Sequence, residues 1–340
     1  MSLSSALRDR DVAQLPSRRD EDWRWTDLRG LIRVLPAPSA QAEVTRAGAF
    51  DALAADRRVI VNGYGPQSIV VKPGETASVA LRFVSVGAGA HAAQADVSVG
   101  AGGRLLLLET YESDGGSVAQ ASLIITLGED ASVERIVLAT DSAEAVSVSR
   151  ADVTLAAGAT FNQCIAASGA RRQRLETHVA HPGGHAALRL DGVYLLRDQA
   201  HSDQTSVVIH AGTDGVTAEL AKGVVRDQAR AVFQGRIVVA PGADRTDARM
   251  GHHALILSDR AEVDAKPELE IYADDVACAH GNTVGALDED ALFYARQRGI
   301  PEAEANALLT QAFIGEVIDR IEHEGARDVV RSWAAERLRT

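Results

Sequence analysis

Cys278 and His280, in Val276-Ala277-Cys278-Ala279-His280-Gly281, set a thiol and an imidazole two residues apart. A thiolate and a neutral imidazole are ligands suited to iron or zinc. If the segment is extended, side chains two apart project to one side, and Gly281 lets backbone come close. Two ligands do not close a site, so on spacing alone the pair fits a functional and a structural role equally. The other cysteine, Cys164, alternates onto the face of Asn162 and Ala166 and reads as a small buried filler. Two cysteines in 340 residues cannot build a disulfide scaffold, and they fit a reducing cytosol. A complete cysteine-ligated zinc or iron–sulfur site needs about four ligands, so none fits within one chain.

The remaining histidines carry less. His178, His181 and His185 have a spacing that would cluster on a helix, but they straddle the turn His181-Pro182-Gly183-Gly184 and read as surface turn residues. His252 and His253 are adjacent, and on a strand at most one of them faces inward. His201 and His210 belong to no motif. The chain has no Walker-type phosphate loop, no GxGxxG after a strand, no HExxH and no GxSxG. Nucleotide hydrolysis, if involved, must belong to another chain. With 35 basic and 47 acidic residues the net charge is −12, which argues against a nucleic-acid binder. No membrane span and no signal peptide are expected, because long uncharged apolar runs are missing and the opening MSLSSALRDRDV is charged.

The elements that must position Cys278 and His280 are strands. From about Arg57 to Ala273, short alternating runs such as SVALRFV, RLLLLETY, ASLIITL and HAALRLDGVYLL follow one another with small turn residues between them. Thr76-Ala77-Ser78-Val79, Gly102-Gly103-Arg104-Leu105, Asp130-Ala131-Ser132-Val133, Gly158-Ala159-Thr160-Phe161 and Gly183-Gly184-His185-Ala186 enter strands alike, in steps of 26, 28, 28 and 25 residues. Arg260-Ala261-Glu262-Val263, 77 residues on, is expected to mark the same entry three steps later. A strand repeat of this size without helices means stacked coils. Hairpin signals are scarce, Val61-Asn62-Gly63 being the main one, which favours a parallel β-helix over an antiparallel meander. An aliphatic, Ala-rich core with only 4% aromatic residues suits a narrow lumen.

The expected organisation is a short N-terminal helical arm and linker over 1–56, a parallel β-helix over 57–283 and a C-terminal helical domain over 284–340. The arm, with Trp23 and Trp25, and the C-terminal helices are expected to cover the open ends of the stack. One C-terminal helix stops at Gly299 and a second opens after Pro301. The second carries a wide apolar stripe that includes Phe313, Ile314, Val317 and Ile318. A last amphipathic helix carries Val330, Trp333 and Leu338.

Val263-Asp264-Ala265-Lys266-Pro267-Glu268-Leu269-Glu270-Ile271-Tyr272-Ala273-Asp274-Asp275-Val276-x-Cys278-x-His280-Gly281-x-Thr283-Val284-Gly285 resembles the C-terminal signature of the SufD family. Members of that family are scaffold subunits of the SufBCD iron–sulfur cluster assembly complex. Leu292-Phe293-Tyr294-x-Arg296-x-Arg298-Gly299-Ile300, the Lys222–Ile237 block and the opening Leu15-Pro16-Ser17-Arg18-Arg19-Asp20-Glu21-Asp22-Trp23 match as well. The similarity is densest from about 219 to 300. The resemblance implies a mainly β fold, a right-handed parallel β-helix flanked by helices, in a non-enzymatic cytoplasmic scaffold. It implies pairing with SufB through the end of the β-helix, or a homodimer when isolated. It also implies docking of the SufC ATPase on the C-terminal helices, with Phe313, Ile314, Val317 and Ile318 as the expected contact stripe. Cys278 and His280 would face SufB, where a transient iron–sulfur cluster or iron is built, and the isolated chain would hold no tightly bound cofactor. A SufB-type paralogue is the closest rival, but that family's usual extra cysteines are missing here. A β-helix carbohydrate-active enzyme would want clustered carboxylates, and Asp191, Asp198 and Asp203 share no convincing register.

Overall fold

Alternation of aliphatic residues builds two parallel sheets. The computed structural model describes residues 2–339. Among them are β1 (Asp56–Val61), β2 (Ser68–Val71), β3 (Thr76–Ser85), β4 (Ala90–Val99), β5 (Arg104–Ser113), β6 (Val118–Leu127) and β7 (Ser132–Thr140). The run continues with β8 (Val146–Thr154), β9 (Thr160–Ala167), β10 (Arg172–His181), β11 (Ala187–Leu196) and β12 (His201–His210). It ends with β13 (Val216–Val225), β14 (Arg230–Val239), β15 (Thr246–Ile256), β16 (Glu262–Ile271) and β17 (Val276–Gly285). Odd strands pair in chain order as one nine-stranded sheet and even strands as one eight-stranded sheet. The chain therefore changes sheet at every turn, and the two sheets enclose a lumen filled by Leu107, Val137, Phe161, Leu188, Leu123 and Val179. This is the expected parallel β-helix.

Register locates the repeat. Thr76 pairs with Arg104, Arg104 with Ser132 and Ser132 with Thr160, so the early entries are in phase. Arg260-Ala261-Glu262-Val263 is not in that series, because it enters β16 in the opposite sheet. The later coils are longer, as Val216↔Asp247 and Asp247↔Ala277 show, and the spacing drifts out of phase. Val61-Asn62-Gly63 is a tight turn with Asn62 and Gly63 at φ 52° and 88°, closed by mutual hydrogen bonds between Val61 and Tyr64. It joins strands of different sheets, so no hairpin follows.

The flanking helices lie along the sides of the stack, not over its ends. Besides α1 (Leu3–Asp9), α2 (Leu28–Leu31) and two single-turn segments form the arm. Leu3, Leu7, Leu28 and Ile32 bury against Val118, Val146 and Val148 on the outer face of the eight-stranded sheet. Trp23 lies over the Arg174 guanidinium, 4.3 Å from ring centre to carbon, rather than on an open edge. After α3 (Glu289–Gln297), α4 (Glu302–Ile318) and α5 (Glu324–Arg339) pack on the outer face of the nine-stranded sheet. The outer positions there are apolar (Leu108, Ile136, Leu138, Val193, Leu195, Val224), and a two-sided apolar sheet must be covered on both faces.

That packing corrects the reading of the α4 stripe. Ile314, Val317 and Ile318 are fully buried against Leu138, Val193 and Val224 of the same chain, so their side chains offer no surface to another protein. Phe313 is half-buried beneath the Lys222 ammonium, 4.5 Å from its ring centre.

Candidate functional site

The two ends of the stack differ. At one end β2 has four residues and β1 carries Arg57 and Arg58, features that blunt an edge. At the other, β16 and β17 are ten residues each, and neither has an outer partner among the described residues. The sequence of β17, VACAHGNTVG, has no charged residue, so nothing on it repels an incoming strand. Ile271, Tyr272 and Val284 stand exposed on this last rung.

Cys278 and His280 lie on β17, brought to one side by the alternation read from sequence. Their register partners, Ala248 and Met250, both point into the lumen, so the thiol and imidazole cap two lumen columns. The Cys278 thiol is partly buried against the core, while His280 is exposed. Burial pushes the Cys278 thiol up from its ordinary range. A soft metal bound there would have to displace the thiol proton, so its binding would be coupled to proton release. Among the described residues no three His, Cys, Asp or Glu side chains gather into a metal-holding group. Cys278 and His280 are the two side chains of β17 whose chemistry would suit a soft metal.

A third column supports them. Asn282 sits over His252, whose Nδ1–H donates to Asn282 Oδ1 at 2.6 Å, and the Tyr194 hydroxyl donates to His252 Nε2 at 2.8 Å. Phe233 stacks on the same imidazole at 4.5 Å. Burial pulls His252 down to about 4, so it is neutral at pH 7, as this bonding requires. His253 points outward to Thr283, as expected for adjacent strand residues. No sequence motif marks this column. Its signal was parity, since Asn282 falls on the face of Cys278 and His280.

The second column runs deeper, from His280 through Met250 to Glu219. Ser206 Oγ donates to Glu219 Oε1 at 2.7 Å, and the other carboxylate oxygen is buried without a partner. A cavity of about 20 Å³ lies alongside, lined by Gln163, Thr177, Gln204 and Ser206. Burial raises the Glu219 carboxyl to about 7 from an ordinary 4.5. A raised carboxyl makes the folded chain hold a proton that the unfolded chain releases. The stability this contributes is present below about pH 4.5 and is lost as pH rises through about 7. The loss amounts to roughly 3 kcal/mol. Glu219→Gln is expected to gain on the parent by about that amount between pH 4.5 and 8. Urea melts at both pH values measure it; parallel pH dependences in the two proteins would contradict it.

Elsewhere, Cys164 is buried between the sheet and the C-terminal helices, as a filler. His181 is not a surface turn residue, because it ends β10 fully buried and stacks on His210 at 4.2 Å. His185 is exposed in the turn. The three aspartates weighed for carbohydrate chemistry are separated. Asp203 is buried against Arg174 at 2.5 Å, Asp191 is held by Arg189 and Arg320 on the opposite sheet, and Asp198 is exposed beside Arg197. They form no carboxylate pair. No helix among the described residues is long and apolar enough to cross a membrane.

Comparison with known proteins identifies the family. Residues 72–313 match the family model described as SUF system FeS cluster assembly, SufBD core domain. The chain is similar to the iron–sulfur cluster assembly protein SufD of Escherichia coli (strain K12), with 28% identity over 379 aligned positions covering 95% of this chain and 89% of the relative. An iron–sulfur cluster assembly SufBD family protein of Synechocystis sp. is 32% identical over 197 positions, 58% of this chain and 44% of that one. SufD of Bacillus subtilis is 34% identical over 135 positions, covering 40% and 31% respectively.

Proposed function

Since the chain belongs to the SufBD family of iron–sulfur cluster assembly proteins, we propose that this SufD-type protein is a non-enzymatic cytoplasmic scaffold whose terminal β17 rung pairs with a SufB-type partner to form a cluster-building interface. The single observation that carries this reading is the outer edge of β17, open among the described residues and without Lys, Arg, Asp or Glu, with Cys278 and His280 two apart on its lumen side. The open edge of a terminal strand presents a row of free N–H and C=O groups, and a second strand satisfies them by continuing the sheet. The partner then supplies the ligands that Cys278 and His280 lack, around iron or a nascent cluster as transient cargo. A second copy of this chain at the same edge gives the homodimer of the isolated protein.

In this reading the SufC ATPase docks on the C-terminal helices, through the side facing away from the sheet. There Leu308 is exposed and a groove between α4 and α5 is lined by Gln311, Ala312 and Arg331. Phe313 contributes at most its open edge, and Ile314, Val317 and Ile318 hold the helix in place beneath.

The pairing has a direct test. Ile271→Lys with Val284→Lys puts two charges on the exposed apolar positions of the last rung. The pair is expected to weaken association with purified SufB-type partner at least about tenfold, because a lysine on an edge opposes strand addition. The monomer should keep its thermal midpoint, since both side chains are exposed. Sedimentation velocity reads both species. Undiminished association would reject the end of the stack as the interface.

A further inference from the structure

A line of hydrogen bonds runs along the lumen to the open end of the stack. The Tyr194 side chain leaves β11, passes over Gly223 of β13 and reaches His252 of β15, which bonds Asn282 of β17. Gly223 lets it pass, because a Cβ at that position would overlap the tyrosine ring. Tyr194 and His252 are fully buried. Phe233 stacks on the imidazole with an interplanar angle of 12°, which holds the ring in its plane. This buried line ends on an asparagine that is itself exposed.

The line has a direction. His252 is the hydrogen-bond partner of the Tyr194 hydroxyl. A buried donor is seldom left unmet, whereas an oxygen with a spare lone pair more often is. The phenol therefore donates to Nε2, and the proton of the neutral imidazole sits on Nδ1. That proton goes to Asn282 at 2.6 Å, so the amide turns its oxygen toward His252. The Nδ2–H2 group is turned away from His252, and no acceptor among the described residues meets it. Asn282 shares the lumen side of β17 with Cys278 and His280, two residues or about 7 Å beyond the imidazole. Three buried side chains thus aim one exposed amide donor beside the candidate ligands.

Sulfide and thiolate sulfur in iron–sulfur chemistry are negatively charged acceptors, and hydrogen bonds to them tune the reduction potential. Resting on the reading of Cys278 and His280 given above, we propose that Asn282 is a further residue of that site. Its Nδ2–H2, oriented by Tyr194 and His252, donates a hydrogen bond to a sulfur of the cargo built at the terminal rung.

The test uses the complex of the full chain with SufB and SufC, reconstituted with iron and sulfide and reduced with dithionite. This chain alone carries ¹⁵N, confined to its asparagine side-chain amides. Its asparagines are Asn62, Asn162, Asn282 and Asn306, and only Asn282 lies on the terminal rung. Electron–nuclear double resonance is expected to show a ¹⁵N coupling to the cluster in the parent, lost in Asn282→Ala and in Asn282→Asp. The aspartate keeps an oxygen for the His252 proton and lacks the donor, which separates hydrogen bonding to the cargo from merely tying β17 down. Tyr194→Phe frees the imidazole proton to move to Nε2 and the amide to turn, and is expected to weaken the coupling. Both Asn282 variants should keep their thermal midpoint and their partners, since the side chain is exposed. A parent cluster without ¹⁵N coupling overturns the proposal. Where a variant complex builds no cluster, or Tyr194→Phe fails to fold, the parent spectrum decides. A parent complex that builds no cluster, or a cluster that survives Cys278→Ala, fails the underlying reading instead, and the proposal falls with it.

Discussion

Cys278→Ala is expected to abolish maturation of iron–sulfur enzymes in cells that depend on this chain, while the protein stays folded. In the proposed interface the thiol is one of two ligands that the terminal rung would offer, and among the described residues no group of three His, Cys, Asp or Glu side chains could take its place. Losing an outer-shell partner of a metal ligand already costs ~10–100-fold in metal affinity or activity, so losing the ligand itself should cost more. The structural cost is small. Cys278 is partly buried on a strand with no further coil above it, and losing one sulfur there costs under about 1 kcal/mol. His280→Ala should show the same separation more cleanly, because that side chain is exposed. Activities of iron–sulfur enzymes in a complementation strain read the first effect and circular-dichroism melting the second. Full activity with Cys278→Ala removes the thiol from the proposal. Lost activity with a large fall in melting temperature would make it a packing residue instead.

Val317→Asp is expected to have the largest effect on stability. Its side chain is fully buried where α4 crosses the nine-stranded sheet, among Ile314, Ile318 and Val193. A carboxylate placed there has no cation to meet, because the nearby Lys222 already bonds Glu316. The chain must lose the apolar contacts and then either protonate the new group or detach the helix. A cost of at least about 4 kcal/mol follows. Leu308→Asp is the contrasting variant, since Leu308 is exposed on the same helix and its change should alter stability by less than about 0.5 kcal/mol. If the outer side of α4 receives the ATPase, Leu308→Asp should lose that partner without unfolding. Denaturant melts and a pull-down with purified SufC distinguish the two. Equal stability of the two variants would contradict the burial described here.

How much of this was legible beforehand depends on whether a residue's role is local. Strand alternation and small residues at the turns are local, and they sufficed for the parallel coil and for bringing Cys278 and His280 to one side. Phase is not local. Arg260-Ala261-Glu262-Val263 falls out of the series and enters the opposite sheet, because coils of unequal length carry the same turn residues. The α4 stripe misled for a related reason. Apolar spacing shows that a helix face is buried but not against what, and here the cover is the outer face of its own sheet. His181 read as a turn residue since Pro182 follows it, yet its pairing with His210 comes from the neighbouring coil. Glu219 carries no sequence signal, because its raised protonation follows from a lumen that only the stacked fold creates.

The central claim is that Cys278 and His280 are half of a ligand set completed across the β17 edge. Mössbauer spectroscopy of the complex with SufB and SufC, reconstituted with ⁵⁷Fe and sulfide, tests it most directly. The parent complex should show a cluster signal that disappears with Cys278→Ala while the three chains remain associated. An undiminished signal in that intact variant complex would contradict the account.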